Sequence, residues 1–189
     1  MYNFSESQKQ VFEKYLKDEN VFITGPGGSG KSYLIKCIYH DAIEKHKNIK
    51  ICALTGCASI LLGCKATTLH RFAGIGLANK SIDEVVSFVF KNKYKLKAWY
   101  SLNILIIDEV SMMNNYDKEL IFERFSTCKI IMCGDIGFQL EGFKTGKNPF
   151  QKFIIEGFDN IVRHDTNYRV KDKELLFKLN KIRTFFSYR

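Results

Sequence analysis

The residues best suited to chemistry begin with the segment GPGGSGKS at positions 25–32, which matches the pattern G-x-x-x-x-G-K-S. It follows the apolar run NVFIT and precedes a segment with helical spacing, which is the context this pattern requires. Glycines let the backbone curl so that several N–H groups point at one anion, and the start of the next helix adds a favourable dipole. The segment predicts a binding site for a nucleoside triphosphate, formed by Gly25, Gly27, Gly28, Ser29, Gly30, Lys31 and Ser32.

Two side chains of this loop and two later carboxylates have predicted catalytic roles. We expect Lys31 to reach the β- and γ-phosphates of ATP, and Ser32 to ligate Mg²⁺. The run ILIIDEVSMM reads as a buried strand that ends at Asp108 and Glu109, at the sheet edge where ligands bind in such folds. We expect Asp108 to hold Mg²⁺ and Glu109 to deprotonate the attacking water. The alternative, an acidic helix start that only complements the helix dipole, is disfavoured by the loop upstream.

The segment CGDIGFQL at 133–140 follows the next predicted strand. Asp135 and Gln139 are both placed to face the γ-phosphate, and Gln139 is a candidate sensor of that phosphate. The other interpretation is a polar turn that uses Gly134 and Gly137. The residues alone do not decide between the two.

The segment FSESQKQ at 4–10 also has two interpretations. Ser5 followed by Gln8 is a capping box, with Phe4 just outside the helix. Alternatively, Gln8 hydrogen-bonds the adenine of ATP. Both roles can hold in part, because a residue at a helix start is well placed for either.

The elements that must position these residues alternate between short apolar runs and helical patterns. Strands are predicted at 20–24, 49–54, 104–107, 129–133 and 160–163, and helical spacing occurs at 32–46, 55–76, 81–90 and 116–125. This alternation indicates an α/β fold with a mostly parallel sheet and helices on both faces. The segment KNKYKLKAWY at 91–100 breaks the pattern. It is expected to be a solvated connector or, alternatively, a surface loop that touches phosphates.

Composition narrows the class of protein. The 189 residues fit one domain, and a net charge of +9 suggests a polyanionic partner. No signal peptide and no apolar run of membrane-spanning length is present. The cysteines form no Cys-x-x-Cys pair, so we expect a reducing, intracellular compartment with neither disulfides nor zinc. Nucleus, cytoplasm and a viral replication site are not distinguished. The six cysteines are Cys37, Cys52, Cys57, Cys64, Cys128 and Cys133.

These motifs, in this order, resemble superfamily 1 DNA helicases of the group that contains the Pif and RecD-type enzymes. The most telling match is TGCASILLGCKATTLHRFAGIG at 55–76, which in that family lines the path of single-stranded DNA. The segment TNYRVKDKELLFKLNKIR at 166–183 resembles the motif that closes the first motor domain, and its catalytic arginine would be Arg169. The resemblance implies a RecA-like ATP-binding domain with DNA contacts at Thr55, Gly56, Thr68, His70 and Phe72.

The resemblance also bears on the extent of the chain. It covers roughly residues 4 to 183, and it implies that residues 1–189 form the first motor domain. The second RecA-like domain, which completes the ATP site with a further arginine, would lie in a longer chain or a partner subunit. One departure concerns Gln139, since GDIGFQLEGF is one residue longer than the family's sensor motif and lacks its prolines.

Two other functions compete with a helicase motor used in DNA replication, repair or recombination. One is a degenerate single-domain module that binds nucleotide or DNA without unwinding. The altered sensor motif favours it, as would a protein confined to the first motor domain, whereas Lys31, Asp108 and Glu109 argue against it. The other is a nucleotide or small-molecule kinase, for which the sequence offers neither an arginine-bearing lid nor an acceptor pocket.

Overall fold

A computed structural model describes residues 2–74, 80–124, 128–135 and 158–187. Its strands form one six-stranded sheet in the order β3-β2-β4-β5-β1-β6, and every described pairing is parallel. The strands are β1 (Val21–Thr24), β2 (Ile49–Ala53), β3 (Thr67–Thr68), β4 (Ile104–Asp108), β5 (Lys129–Gly134) and β6 (Ile161–Arg163). The five predicted strands are confirmed. The two-residue β3 was not predicted, because so short a run carries no periodicity.

The helices lie between these strands. They are α1 (Glu6–Leu16), α2 (Lys31–Glu44), α3 (Gly56–Leu62), α4 (Leu69–Ala73), α5 (Ile82–Lys91), α6 (Lys93–Tyr100), α7 (Asn115–Lys118) and α8 (Lys173–Ser187). A 3₁₀ turn covers Val110–Met112, and α7 continues into a π-helical segment at Glu119–Arg124.

Helix α6 corrects the prediction of an irregular segment at 91–100. Asn92 begins the helix, and its Oδ1 accepts bonds from the N–H groups of Tyr94 and Lys95, each at 3.1 Å. Trp99 is buried, and its ring centroid lies 4.6 Å from that of Phe72. The lysines hid the helical pattern because they occupy the exposed positions around one buried aromatic side chain.

The sheet separates two apolar layers, because successive strand residues point to opposite faces. In β4, Leu105 and Ile107 join the layer that contains α4, α5 and α6, whereas Ile104 and Ile106 join the layer that contains α1, α2 and α3. A sheet covered on both faces leaves its carboxyl edge as the place for polar loops. Among the described residues, no helix combines the length and apolar character needed to cross a bilayer.

Candidate nucleotide and DNA sites

The loop at 25–30 leaves β1 at the carboxyl edge of the sheet and curls back into α2. Gly28 and Gly30 have φ angles of 84° and 86°, in the left-handed region that favours glycine. A Cβ atom at Gly28 would lie 2.5 Å from Cβ of Arg169, and one at Gly30 would lie 2.5 Å from Nε2 of Gln8. The glycines are therefore required both by the backbone conformation and by the close approach of later segments.

Lys31 lies at the first position of α2, inside the curl. Its Nζ donates to the carbonyl oxygens of Gly25 at 2.8 Å and Pro26 at 3.1 Å. These bonds hold the ammonium group beside the loop. Ser32 follows it in the first turn and is exposed, whereas Gly25 and Ser29 are buried.

Asp108 and Glu109 end β4, two strands from β1 in the sheet. Asp108 is 5% exposed, and its Oδ1 accepts the Glu109 N–H at 2.9 Å. Burial raises the pKa of Asp108 to about 6, and the neighbouring Glu109 carboxylate also raises it, while that hydrogen bond and Lys31 lower it. Glu109 is exposed and has a φ of 56°, a left-handed conformation that is costly for a residue with a side chain. A buried and an exposed carboxylate therefore meet at the edge that carries the phosphate loop.

Residues 164–170, most of which belong to the predicted domain-closing motif at 166–183, close over the phosphate loop. The sequence did not predict the contacts that they make there. The Asn167 side chain donates to the Gly27 carbonyl at 2.9 Å, and the Tyr168 N–H donates to the Gly28 carbonyl at 2.8 Å. Asn167 Oδ1 also accepts the N–H groups of Arg169 and Val170, each at 2.9 Å. The first two bonds pair two carbonyls of the loop with donors that lie about 140 residues later in the chain.

His164 continues this closure at the end of β6. Its backbone N–H donates to the Thr24 carbonyl at 2.7 Å, and its Nδ1 lies 3.3 Å from the Ser29 carbonyl oxygen. Burial lowers the pKa of His164, so it is neutral and donates from Nδ1 at neutral pH. The sequence did not predict a role for His164, because a single histidine after a weakly predicted strand matches no motif.

Three buried polar atoms beside the loop have no hydrogen-bond partner within the described residues: Thr24 Oγ1, Ser29 Oγ and His164 Nε2. Buried polar atoms are nearly always paired in proteins. Such a group is expected where a polar ligand supplies the missing partners.

Gln8 and Tyr168 lie on either side of Gly30. Gln8 is buried, and its side chain both completes the capping box at Ser5 and donates to the Gly30 carbonyl at 3.4 Å. The capping interpretation is therefore confirmed, and the adenine contact stays a prediction. The Tyr168 ring is 54% exposed and lies about 3.5 Å from a Cβ built at Gly30. An exposed aromatic face thus stands beside the predicted adenine-binding residue.

The two remaining predicted catalytic residues are placed differently. Arg169 is exposed, and its Cβ lies close to Gly28 as described above. The Arg169 side chain therefore leaves the backbone beside the phosphate loop. Gln139 lies outside the described residues, so its role stays a prediction.

The predicted DNA contacts lie toward the other end of the same edge, after β2 and β3. Thr55 caps α3, with its Oγ1 accepting the Ala58 N–H at 3.2 Å, and Thr68 caps α4, accepting the Arg71 N–H at 3.3 Å. Gly56 is exposed, and a Cβ built on it has no neighbour within 4 Å. The structure thus brings two helix starts with free space around Gly56 to one edge.

His70 and Phe72 both have structural partners. His70 Nε2 lies 3.0 Å from Oδ1 of the buried Asp117, and Phe72 packs against Trp99. Both side chains are only partly buried. Packing explains Phe72 without a ligand, whereas His70 is held in one orientation and keeps an exposed side.

This sheet order, with the phosphate loop after β1 and the carboxylates after β4, defines a RecA-like phosphate-loop NTPase domain. A model of the PIF1-like helicase family matches residues 3–141. Because that match covers more than half of its length, the chain belongs to the PIF1-like helicase family.

Individual relatives agree with this assignment. An uncharacterized protein, 030L, of invertebrate iridescent virus 6 is 36% identical in an alignment that covers 94% of this chain and 38% of the viral protein. The ATP-dependent DNA helicase RRM3 of Saccharomyces cerevisiae is 34% identical in an alignment that covers 94% of this chain and 27% of RRM3. The chain thus spans well under half the length of these relatives.

A solved structure gives the same fold. The Pif1 helicase from Bacteroides in complex with ADP-AlF3 and single-stranded DNA superposes with a TM-score of 0.72 at 25% identity. The match covers 98% of this chain and 47% of the Bacteroides chain.

Proposed function

We propose that this chain is the ATP-binding and hydrolysing motor domain of a Pif1-like DNA helicase, which couples hydrolysis to movement along single-stranded DNA and to duplex unwinding. The observation that carries this proposal is the arrangement of Lys31, Asp108 and Glu109 along the sheet edge that also bears the phosphate loop. These groups supply a phosphate-binding cation, a metal-binding carboxylate and a base. Their joint presence disfavours a module that binds without hydrolysis. Replication, repair or recombination of DNA is the proposed setting.

The residues around the loop fit a nucleotide with Mg²⁺. The unpartnered Ser29 and Thr24 hydroxyls suit phosphate oxygens, as backbone N–H groups of glycine-rich loops do in general, and Ser32 with Asp108 would hold the metal ion. Within the described residues, no three His, Cys, Asp or Glu side chains cluster as a metal site. Mg²⁺ in nucleotide sites needs only one or two protein oxygens, because phosphates and waters complete its shell. The ion would neutralise charge that develops on the phosphates.

The chain's own groups then have distinct tasks. Glu109 would orient a water molecule and accept its proton, because its carboxylate is exposed at the sheet edge that carries the phosphate loop. Lys31 would exchange its two carbonyl contacts for phosphate oxygens. Gln8 would hydrogen-bond the adenine, and the exposed Tyr168 ring would stack on it. Arg169 and Gln139 would contact the γ-phosphate.

Single-stranded DNA would cross the other end of the edge. Thr55, Gly56 and Thr68 offer hydroxyl and backbone groups that hold phosphates without reading sequence. His70, held by Asp117, and Phe72 would brace the bases. A second RecA-like domain, from a longer chain or a partner subunit, would close over both ligands, as the short coverage of the relatives suggests.

The proposal is tested by measuring ATP hydrolysis by the 189-residue chain with and without single-stranded DNA. We expect slow, DNA-stimulated hydrolysis that Lys31→Ala abolishes. Lys36→Ala is the matched control, since Lys36 is an exposed lysine of the same helix. Equal hydrolysis by the two variants would contradict the proposal.

A further inference from the structure

One lateral edge of the sheet is only partly covered. β3 pairs with Cys52 and Ala53 of β2, so within the described chain the start of β2 has a sheet partner on one side alone. A cleft of about 370 Å³ lies beside this gap. Its walls come from α2 and the turn after it, β2, the turn before β3, α4 and the end of α6. They include Lys50, Lys65, Phe72, Ala98 and Ser101.

Lys50 lines this cleft and is partly buried. Its Nζ donates to the Lys65 carbonyl at 3.0 Å and lies 5.9 Å from the centroid of the Phe72 ring. Burial lowers the pKa of Lys50, and the nearby Arg71 guanidinium lowers it further. A cation that is partly withdrawn from water beside a second cation is unfavourable, and an anion in the cleft would relieve both effects.

The turn that places Lys65 on the rim has an unusual backbone. Gly63, Cys64 and Lys65 have φ angles of 65°, 51° and 54°, three left-handed residues in succession. Left-handed conformations at Cys64 and Lys65 cost roughly 1–2 kcal/mol each. Strain of this kind is concentrated at functional sites, and here the Lys50 bond to the Lys65 carbonyl helps to hold it.

Helix α6 carries a further cation and an aromatic ring one turn away from two residues that line the cleft, Ala98 and Ser101. Lys97 is exposed and lies one turn before Ser101, and Tyr94 lies one turn before Ala98 with 89% of its surface exposed. Residues four apart share a helix face. Exposed aromatic rings among cations are typical of surfaces that bind single-stranded nucleic acid.

We propose that this cleft is a second nucleic-acid site, which binds the phosphodiester backbone of a single strand through Lys50, Lys65 and Lys97 and stacks a base on Tyr94. The site is continuous with the expected DNA path, because α4 begins at the capping residue Thr68 and carries Phe72 into the cleft. The inference rests on the proposed function, to which it adds a contact outside the carboxyl edge.

The test measures binding of a labelled oligothymidylate by fluorescence anisotropy over a range of salt concentrations. Each phosphate contact to a single strand contributes about 0.7 to the slope of log K against log salt. The variant Lys50→Gln/Lys65→Gln/Lys97→Gln should therefore lose about 2 from the magnitude of this slope. Lys65→Gln/Lys97→Gln leaves Lys50 and its packing intact, and should lose about 1.4.

The control Lys9→Gln/Lys17→Gln/Lys178→Gln removes three exposed lysines from α1, the residue that ends it, and α8. The salt dependence of its binding should stay closer to that of the parent chain than the salt dependence of the two cleft variants does. Nucleotide affinity should be unchanged in the control and in both cleft variants. If the parent chain binds the oligonucleotide and the cleft variants have the same slope as the control, the inference is wrong while the proposed function stands. If the parent chain binds no oligonucleotide, the proposed function is wrong as well. If the cleft variants lose affinity for duplex DNA but keep their affinity for the single-stranded oligonucleotide, the assignment of the cleft to a single strand is wrong.

Discussion

The two ends of the carboxyl edge are held in place in different ways. At the nucleotide end, carbonyls of the phosphate loop accept bonds from Asn167 and Tyr168, which are about 140 residues later in the chain. At the end proposed to bind DNA, called the DNA end below, Thr55 and Thr68 each cap a helix through an N–H group three residues away. The nucleotide end therefore depends on tertiary closure, whereas the DNA end is assembled from local contacts.

This difference has a functional consequence. A loop that is bonded to a distant segment has fewer accessible conformations, and preorganised groups are what the proposed phosphate chemistry requires. Helix starts with free space around Gly56 can accept a backbone of any sequence. Substitutions at the first end should thus alter rates or global stability, and substitutions at the second should remain local.

The largest effect is expected from Glu109→Gln. Removing the proposed base should lower the rate of ATP hydrolysis by about 10²–10⁴-fold, with nucleotide affinity unchanged. Single-turnover hydrolysis and titration with a fluorescent ATP analogue measure the two quantities. Glu13→Gln, at an exposed glutamate of α1, is the control. General-base catalysis contributes about 10²-fold or more to a rate. If Glu109→Gln hydrolyses ATP at a rate within about a factor of two of this control, Glu109 is therefore not the base.

Asp108→Asn should show how much the buried, charged carboxylate lowers the free energy of unfolding. The pKa of Asp108 is raised from 3.8 to about 6, so the neutral form is favoured in the folded state. The folded state is therefore most stable, as far as Asp108 is concerned, below pH 3.8, where the carboxyl group is neutral in both states. This stability is lost as the pH rises through 6, because the buried group then ionises. At pH 7.5 the variant should be more stable than the parent chain by up to about 3 kcal/mol, at 1.36 kcal/mol for each pH unit between the two pKa values.

Urea unfolding without nucleotide, at pH 4 and pH 7.5, measures this difference. It should shrink towards zero at the lower pH, because Asp108 is then protonated in the folded state. The variant should also lose Mg²⁺-dependent nucleotide binding. A variant less stable than the parent at pH 7.5 would show that the carboxylate is stabilised in its charged form.

Asn167→Ala tests the tertiary closure directly. It removes the bond to the Gly27 carbonyl and the two bonds that shape the following turn. We expect a loss of about 1–2 kcal/mol in the free energy of unfolding and a weaker affinity for ATP, measured by urea unfolding and nucleotide titration. Asn115→Ala removes an exposed asparagine of α7 and is the control. Unchanged nucleotide affinity in Asn167→Ala would mean that the loop keeps its shape without the later segment.

The same contrast explains which parts of the molecule the sequence predicts. The phosphate loop and Asp108–Glu109 are contiguous motifs that follow apolar strands, so their chemistry can be recognised without coordinates. His164, Asn167 and Tyr168 contact the loop only through folding, and no spacing rule joins residues so far apart. Local contacts were not always visible either, because the lysines of α6 hide its periodicity and β3 is too short to have one.

Thr55→Ala should have the smallest of these effects and tests the DNA end of the carboxyl edge. Loss of the cap on α3 should lower the free energy of unfolding by about 1 kcal/mol and leave nucleotide affinity unchanged, since no long-range bond is broken. Thr55→Ser keeps the hydroxyl and should behave as the parent chain in unfolding and in titration with single-stranded DNA. If DNA binding needs the same hydroxyl, Thr55→Ala weakens it and Thr55→Ser does not. If Thr55→Ala instead lowers ATP affinity as much as Asn167→Ala does, the two ends are coupled and the cap is not a local device.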